Sequence, residues 1–328
     1  MQSRKTSVDL WHQKPYYSLD AWCKNTYGRK LYKAALDIGC TCPNRDGTLD
    51  TRGCIFCSAG GSGDFAASRQ LSVTDQLNQA KALLSSKWTP EPGKPSLIAY
   101  FQAYTNTYGD PDRLLSCYEE ALSSPEVAGI SIATRPDCLS DIILEGLDRL
   151  RLLYPDRFIW IELGLQSIHD HTAARIRRGY PTSVFYDAAA KLHARRLPFI
   201  VHLILGLPGE TRLDLLESIR AVNQVHPFGV KLQLLHILKG TDLALLYEAG
   251  KLPVLTQEEY LDLLASCIAA LSPDICLHRV TGDGPRKLLI APQWSLSKRN
   301  VLNGLHALMK QRNLRQGDNY EPGTSYTL

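Results

Sequence analysis

Short apolar runs alternate with amphipathic stretches along most of the chain. Six runs rich in apolar and β-branched residues predict strands, and they lie at 34–39, 97–102, 128–133, 158–163, 199–205 and 230–236. Apolar residues at helical spacing predict helices near 73–86, 112–123, 139–153, 169–178, 183–195, 211–224 and 256–271. Because parallel strands need crossover connections, this alternation predicts an α/β fold with a curved parallel sheet, or partial barrel.

Unusual polar residues follow the carboxyl ends of these predicted strands. In chain order they are Cys40 and Cys42, Gln102 and Tyr104, Thr134 and Arg135, Gln166 and Ser167, Gly206 and Pro208, and His236. In βα barrels the loops at these ends build the active site, so we expect the residues to converge on one rim. Ordinary polar residues end many strands, which explains any one of these positions but not a group of thiols after the first strand.

The last part of the chain does not continue the strand and helix alternation. A final helix is predicted near 298–312, and the basic residues of this part are Arg279, Arg286, Lys287, Lys298, Arg299, Lys310, Arg312 and Arg315. Asp283 is the single acid between Arg279 and Arg315. We therefore predict an N-terminal extension at 1–30, a barrel at 31–272 and a basic C-terminal extension at 273–328.

Composition limits the classes of protein. With 328 residues and 44% hydrophobic content, the chain suffices for one large α/β domain with an appendage, or for two ordinary domains. No stretch approaches the roughly 18 apolar residues of a membrane span, and the first residues lack the apolar run of a signal peptide. We expect a cytoplasmic protein with no membrane partner. The net charge of +4 is too small to indicate nucleic-acid binding without a concentrated basic face.

Four of the nine cysteines lie in the eighteen residues between Cys40 and Cys57. In a reducing compartment, clustered cysteines are more often metal ligands or redox groups than disulfides. The segment from Cys40 to about Ser72 carries no predicted element, and loops of that length within compact domains are usually functional or disordered. The thiols favour a functional loop.

Three kinds of site suit this spacing. A structural zinc site would use all four thiolates, Cys40 included. A redox pair would use Cys54 and Cys57, which form a C-x-x-C sequence, but it would not need Cys42. A [4Fe–4S] cluster would be held by three thiolates and leave one iron open to a ligand. The residues alone leave these alternatives open.

Eight segments carry a family resemblance. In chain order they are LDIGCTCPNRDGTLDTRGCIFCSAGGSGDF, FQAYTNTY, SIATRPDCL, ELGLQSIHDHT, RRGY, HLILGLPGE, LLHILKGT and TGDGPRKLLIAPQWSL. They cover nearly the whole chain and resemble radical S-adenosylmethionine (SAM) enzymes of the YhcC/YtqA group, which is related to the radical-SAM part of the Elongator catalytic subunit. The resemblance implies a partial (β/α)6 radical-SAM barrel with a short basic C-terminal extension.

The resemblance also implies which thiols bind metal. It makes Cys42, Cys54 and Cys57 the ligands of a 4Fe-4S cluster. Cys40 is then a spare thiol, because the group usually has another residue there. Since Cys40 departs from the group's pattern, zinc remains an alternative.

The same resemblance implies a set of contacts to SAM. Phe56 corresponds to a position near the adenine, Gln166 and Ser167 match a segment that meets the ribose, and Arg178 matches an arginine that pairs with the methionine carboxylate. His202 stands where some relatives have a ribose-binding aspartate. Core packing is the alternative for Phe56 and His202, and a solvated helix arginine is the alternative for Arg178.

Two further positions are included among the predicted SAM contacts. Many radical SAM proteins follow the second strand with a glycine-rich segment that meets the SAM amino group, whereas this chain has YFQAYTNTY. We predict that Gln102, with Tyr104 and Thr105, replaces that segment. Thr134, at the end of the third strand, completes the set.

The implied activity is reductive cleavage of SAM to methionine and a 5′-deoxyadenosyl radical, which abstracts hydrogen from a substrate. The cofactors carry the difficult step, and the electron would come from a flavodoxin- or ferredoxin-type donor. Hydrogen-atom abstraction requires no general base, so the sequence assigns no catalytic residue.

The resemblance suggests transfer RNA as the substrate, at the 5-substituent of a wobble uridine, with carboxymethylaminomethyl converted toward aminomethyl. The basic extension suits phosphate contacts, and Trp294 or Tyr104 would stack an unpaired base. The candidate substrate-binding residues are Tyr104, His236, Asp283, Arg286, Lys298 and Arg299. The alternatives are a small metabolite or peptide substrate, and a non-catalytic iron–sulfur or zinc scaffold.

Overall fold

The computed structural model of the chain describes residues 11–61, 63–84, 93–282 and 284–322. Its strands are β1 (Tyr32–Leu36), β2 (Leu97–Phe101), β3 (Val127–Thr134), β4 (Phe158–Gln166), β5 (Phe199–Leu205), β6 (Gly229–Leu234), β7 (Ile237–Leu238), β8 (Cys276–Arg279) and β9 (Leu289–Ala291). Seven of them form one sheet in the order β1-β2-β3-β4-β5-β6-β8, and β7 pairs with β9. The α/β class with a parallel sheet is confirmed.

Helices connect the parallel strands, as the alternation predicted. They are α1 (Leu19–Tyr27), α2 (Val73–Leu84), α3 (Pro111–Ser123), α4 (Asp141–Leu153), α5 (Asp170–Arg175), α6 (Thr182–Ala194), α7 (Arg212–Val225), α8 (Asp242–Glu248), α9 (Gln257–Ala270) and α10 (Lys298–Gln311). Within the described residues, every helix is too short or too polar to cross a membrane.

The sheet contains one parallel strand more than the sequence predicted. Strand β8 pairs with β6 in parallel register, with Gly229 opposite Cys276 and Val230 opposite Leu277. Its sequence, CLHR, has only two apolar residues before a histidine and an arginine, so it lacks the apolar run that marks the other strands. It lies inside the predicted extension 273–328, and this part of the extension therefore belongs to the sheet.

The first strand ends earlier than its apolar run predicted, at Leu36. The Asp37 carboxylate accepts a hydrogen bond from the Gly39 backbone N–H at 2.8 Å, and Gly39 has a φ of +73°, a conformation that favours glycine. Gln76 of α2 also bonds both backbone groups of Asp37, at 2.9 Å and 2.8 Å. These side-chain bonds replace the strand pairing and turn the chain into the cysteine-rich loop.

The chain comprises two compact units. The cysteine unit comprises Arg29–Gly164 and Arg178–Phe199. It contains β1 to β3 and most of β4, in parallel register. Its sheet buries the Glu162 carboxylate completely, and this group accepts hydrogen bonds from Ser131 Oγ at 2.6 Å and Lys33 Nζ at 3.1 Å. A buried carboxylate is tolerated because it is paired in this way.

The C-terminal unit comprises Met1–Gly28, Leu165–Arg177 and Ile200–Leu328. Two of its helices, α7 and α9, begin with capping boxes formed by Thr211 with Asp214 and by Thr256 with Glu259. These boxes satisfy backbone N–H groups that the first helical turn leaves unpaired. In α10, Val301, Leu305 and Met309 are buried, and their spacing of four residues places them on one face of the helix.

A close approach between β3 and β4 generates a stability prediction. A Cβ atom on Gly129 would lie 2.4 Å from the Phe158 ring and from the Phe158 backbone oxygen. We expect Gly129→Ala to lower the free energy of unfolding by about 1–3 kcal/mol, because overpacking against backbone forces a shift. Urea unfolding measures the change.

Gly304→Ala is the matched control. A Cβ there would meet the end of the flexible Leu261 side chain at 2.8 Å. Relative to glycine, alanine stabilises a helix interior by up to about 1 kcal/mol. We expect little loss of stability or a gain. Equal losses in both variants would contradict the assignment of the Gly129 effect to its backbone contact.

Candidate functional site

The loop between β1 and α2 is held by its own backbone hydrogen bonds. The Cys57 N–H donates to the Cys54 carbonyl at 3.0 Å, and the Arg45 N–H donates to the Cys42 carbonyl at 2.8 Å. The Gly53 N–H closes the segment between these turns with a 2.7 Å bond to the Asn44 carbonyl. The loop therefore has a defined conformation around Cys42, Cys54 and Cys57, although its described residues form no helix or strand.

The thiols of Cys42, Cys54 and Cys57 share one environment. Burial, followed by the neighbouring Cys57 and Cys42 thiols, raises the pKa of Cys54 to about 11, although Arg135 and Asn44 act in the opposite direction. Burial also raises the pKa of Cys57, with Cys42 contributing in the same direction. Mutual repulsion of this kind is relieved when a cation binds between the sulfurs, because a bound metal deprotonates its thiol ligands.

Cys40 lies in different surroundings. Burial raises the pKa of its thiol to about 11, and the charged groups that act on it are Arg113, which lowers the pKa, and Asp37, which raises it. The Arg113 guanidinium is held nearby by a 2.6 Å bond to the Ile38 carbonyl. The thiol of Cys40 thus faces an arginine, whereas the other three thiols of the loop influence one another.

The spacing of the thiols bears on the kind of metal group that fits. Within the described residues, His169, Asp214 and Glu217 form a group of three possible ligand atoms within 4.8 Å of one another, and no such group contains the loop thiols. A single zinc ion with Zn–S bonds of about 2.3 Å would hold its sulfurs about 3.8 Å apart. No three of the four loop thiols, all of which the structure describes, lie within 4.8 Å of one another, so at least one of them would have to move for a single zinc ion to bind them.

Arg178 is buried in the RRGY turn. Its side chain is among the largest that the protein fully buries, and the residue is 2% exposed. Its Nε donates to the Tyr180 carbonyl at 3.1 Å, its Nη2 donates to Thr182 Oγ1 at 2.9 Å, and its guanidinium lies 4.5 Å from the centre of the Tyr180 ring. The alternative of a solvated helix arginine is therefore wrong, and the carboxylate contact stays a prediction.

The segment after β2 is fastened to the cysteine-rich loop. Tyr104 donates from its hydroxyl to the Ala59 carbonyl at 2.5 Å and from its backbone N–H to the Gly61 carbonyl at 2.8 Å. Gln102 contributes differently, because its Nε2 is buried and has no hydrogen-bond partner in the described part of the chain. A buried amide without a partner is costly in a folded protein. This atom is suited to a polar ligand.

Thr134 and Phe56 are placed by the same unit. The Thr134 hydroxyl lies 2.5 Å from the Thr107 hydroxyl, which also donates to the Cys138 carbonyl at 2.6 Å. Thr134 is therefore already hydrogen-bonded within the protein. Phe56 occupies the turn between Cys54 and Cys57 and is half-buried.

The predicted ribose segment and His202 belong to the C-terminal unit. Gln166 ends β4 with a φ of +70°, and its Oε1 is buried with no hydrogen-bond partner among the residues that the structure describes. Ser167 is buried, and its Oγ accepts the His169 backbone N–H at 3.1 Å. His202 is half-buried in β5, opposite Lys231 of β6.

The candidate substrate residues of the C-terminal unit differ in exposure. His236 lies 3.1 Å from Ser295 Oγ through its Nε2, and a Cβ on Gly282 would lie 2.4 Å from its ring, so the ring is closely packed. Arg286, Lys298 and Arg299 are exposed. Asp283 lies outside the described residues.

The sequence assigned no role to three residues that bind the cysteine-rich loop. Arg45 donates from Nη2 to the Cys57 carbonyl at 2.7 Å. Asn44 Nδ2 lies 3.6 Å from Cys54 Sγ, and Arg135 Nη1 lies 4.0 Å from Cys42 Sγ. Arg135 was found at a strand end, but nothing in the residue pattern indicated which group its side chain contacts.

Comparison with known proteins agrees with this arrangement. Residues 42–222 match the Radical SAM superfamily, and residues 227–311 match the Radical_SAM C-terminal domain. The uncharacterized protein YtqA of Bacillus subtilis is 40% identical over 93% of this chain and 92% of its own length. Protein YhcC of Escherichia coli is 36% identical over 82% of this chain and 84% of its own length.

A solved structure shares the fold. The archaeal Elp3 of Methanocaldococcus infernus superposes with a TM-score of 0.64 and 16% sequence identity, over 87% of this chain and 64% of that chain. This likeness confirms the fold, and the sequence matches extend over the cysteine-rich loop and the strands that follow it. The chain therefore belongs to the radical SAM superfamily.

Proposed function

We propose that this radical SAM enzyme acts on transfer RNA, at the 5-substituent of a wobble uridine, and converts carboxymethylaminomethyluridine toward aminomethyluridine. Enzymes of the superfamily use a [4Fe–4S] cluster and SAM. When bound, these cofactors supply a radical that abstracts a hydrogen atom from the substrate. The proposal includes a cytoplasmic location and a flavodoxin- or ferredoxin-type electron donor.

The cysteine-rich loop would hold the cluster through Cys42, Cys54 and Cys57. The shared environment of these three thiols supports the assignment, as does the separate environment of Cys40 beside Arg113. Three ligands leave one metal position open, which is the arrangement that a catalytic metal site requires.

Two buried glutamine amides support the SAM contacts. Gln102 Nε2 and Gln166 Oε1 each lack a hydrogen-bond partner within the described ranges, and each belongs to a position that we assigned to SAM. Gln102 Nε2 is a donor and Gln166 Oε1 is an acceptor, so the first suits an acceptor of this cofactor, such as a carboxylate or ribose oxygen, and the second suits a donor, such as a ribose hydroxyl. Arg178, His202, Phe56, Ser167 and Thr134 remain in the proposed set.

The charge of α10 is the observation that carries the RNA proposal. Its sequence, KRNVLNGLHALMKQ, contains no acidic residue. Lys298 and Arg299 are exposed in its first turn, where the helix dipole disfavours cations, and the Ser297 side chain makes no capping hydrogen bond. A phosphate at this position would offset the like charges and would suit the N-terminus of the helix.

Not every predicted cation or aromatic residue contributes equally to this surface. Arg312 forms a short ion pair with Asp262, which also pairs with Arg212, so this carboxylate compensates part of the Arg312 charge. Trp294 donates from its indole to the Leu255 carbonyl at 3.1 Å and lies 5.5 Å from the Tyr260 ring. The phosphate contacts that we propose use Arg286, Lys287, Lys298, Arg299 and Lys310, which are exposed.

The cysteine assignment predicts which thiols the metal needs. After anaerobic reconstitution, the wild-type protein should be brown, with equal amounts of iron and sulfide. Cys42→Ala, Cys54→Ala and Cys57→Ala should each lose the cluster, because each removes one of three ligands. Cys40→Ala should keep it. Iron and sulfide analysis with absorption spectra measures the result, and a colourless zinc protein that depends on Cys40 would contradict the assignment.

The buried amide of Gln102 predicts an effect on SAM affinity. We expect Gln102→Leu to weaken SAM binding to the reconstituted protein by about 1–2 kcal/mol, or roughly 5- to 30-fold, because it removes a hydrogen bond that burial makes effective. Equilibrium dialysis measures the affinity. Gln70→Leu is the control, since Gln70 is exposed on the same unit. Unchanged affinity in Gln102→Leu would remove Gln102 from the SAM contacts.

The tRNA proposal is tested by anaerobic turnover with SAM, dithionite and bulk tRNA that lacks the final modification. Nucleoside mass spectrometry should detect aminomethyluridine at the expense of carboxymethylaminomethyluridine. The affinity for tRNA should fall with salt, with a log–log slope on the order of −0.7 per phosphate contact. Lys298→Glu with Arg299→Glu should flatten that slope and leave SAM cleavage without substrate intact.

The matched control is Lys239→Glu with Lys251→Glu, which changes the net charge equally at two exposed lysines of the same unit. It should leave the slope unchanged if α10 is the phosphate-binding surface. Weak tRNA binding that is insensitive to salt, together with no change in modified nucleosides, would refute the tRNA proposal and favour a small metabolite or peptide.

A further inference from the structure

One backbone carbonyl in the cysteine unit accepts two side-chain hydrogen bonds. Asn44 Nδ2 donates to the Arg178 oxygen at 3.0 Å, and Arg135 Nη1 donates to the same oxygen at 2.9 Å. A carbonyl oxygen has two lone pairs, so it can accept both bonds. These three residues are far apart in the sequence and meet at a single atom.

Each of the two donor nitrogens carries a second hydrogen, because an amide NH₂ and a terminal guanidinium nitrogen each have two. Asn44 Nδ2 lies 3.6 Å from Cys54 Sγ, and Arg135 Nη1 lies 4.0 Å from Cys42 Sγ. The bond to the carbonyl therefore occupies one hydrogen and leaves the other for a sulfur. Both nitrogens bind the Arg178 carbonyl, and each approaches a different cysteine sulfur.

Further contacts fix the Arg135 side chain and the turn that carries the Arg178 carbonyl. Arg135 binds Asp137 in a bidentate pair, with Nε at 2.9 Å and Nη2 at 2.7 Å from the two carboxylate oxygens. The Arg178 side chain is tied to Tyr180 and Thr182 as described above, and the Tyr180 hydroxyl donates in turn to the Gly164 carbonyl in a short bond. The carbonyl of Arg178 is thus held by its own buried turn.

Gly179 explains why this turn suits Asn44. It has a φ of +84°, and a Cβ at this position would lie 2.4 Å from Asn44 Oδ1. Any larger residue would displace the Asn44 side chain. The glycine of the RRGY segment therefore leaves the space in which the Asn44 amide reaches both the carbonyl and the sulfur.

We propose that the Arg178 carbonyl positions Asn44 and Arg135 as hydrogen-bond donors to Cys54 and Cys42, and that these donors raise the reduction potential of the cluster. The inference rests on the cluster assignment made under the proposed function, and it does not involve the substrate. Hydrogen bonds to cluster sulfurs are among the factors that set the potential. They stabilise the reduced cluster, which carries one more negative charge.

The test compares reduction potentials of the anaerobically reconstituted protein without SAM or tRNA, by redox potentiometry followed by electron paramagnetic resonance. Asn44→Ala should make the potential more negative, with about a tenfold lower equilibrium constant for reduction, which is about 59 mV for a one-electron couple. Arg135→Lys should shift it in the same direction, because lysine keeps the charge but cannot bind Asp137, the carbonyl and the sulfur together.

A glycine pair isolates the role of the turn. Gly179→Ala should lower the potential by displacing Asn44, whereas Gly47→Ala should not. Gly47 also has a left-handed φ, of +93°, in the cysteine-rich loop, but a Cβ there meets nothing within 4 Å. In the double variant Asn44→Ala/Gly179→Ala the shift should equal that of Asn44→Ala alone, because both changes remove the same interaction.

Reduction potentials are compared between the wild type and those variants whose iron content matches it. Wild-type potentials in both Asn44→Ala and Gly179→Ala, or equal shifts in Gly179→Ala and Gly47→Ala, would overturn the inference. If Asn44→Ala does not assemble a cluster, the comparison of the two glycine variants decides. A wild-type protein that binds no iron would refute the cluster assignment, and failure to modify tRNA would leave the measured potentials unaffected.

Discussion

Parallel strand pairing in the cysteine unit is the constraint on which its site depends. Leu36 at the end of β1 lies opposite Phe101 at the end of β2, and Phe101 lies opposite Ile132 near the end of β3. The loops that leave these strands therefore start side by side. The backbone bonds from Thr105 to Thr41, at 3.2 Å, and from Asn106 to Ala133, at 3.0 Å, join loops that the sequence separates widely.

A long loop without regular structure needs other groups to satisfy its backbone. In the cysteine-rich loop, side chains supplement the backbone turns, as when Arg45 donates to the carbonyls of Cys57 and Ser58 and Gln76 bonds both backbone groups of Asp37. Buried polar groups of this kind are stable only when they are fully paired. The thiols can therefore lie at defined positions without a helix or strand beneath each of them.

The sequence predicted most of the fold, because apolar spacing reports burial directly. Strand β5 was predicted at its observed limits, and α6 and α9 within one residue at each end. Strand β8 was missed, since two apolar residues give no periodic signal. The sequence did not select Asn44 and selected Arg135 only as a strand-end residue. Their contacts with the Arg178 carbonyl join residues 134 and 43 positions apart, and residue patterns do not report such contacts. The candidate ligands Cys42, Cys54 and Cys57 were assigned by resemblance and not by spacing, and that assignment stays a prediction.

The positive charges of the two units differ in physical character. In the cysteine unit, Arg135 and Arg178 are buried and hydrogen-bonded to carbonyls, hydroxyls or a carboxylate, so ions in solution screen them little. In the C-terminal unit, Lys298 and Arg299 are exposed on a helix with no acid, where screening acts over about 8 Å at physiological ionic strength. The first group suits fixed, short-range contacts with a cofactor. The second suits a polyanion that binds and leaves, because its attraction extends into solvent and is lost as salt replaces it.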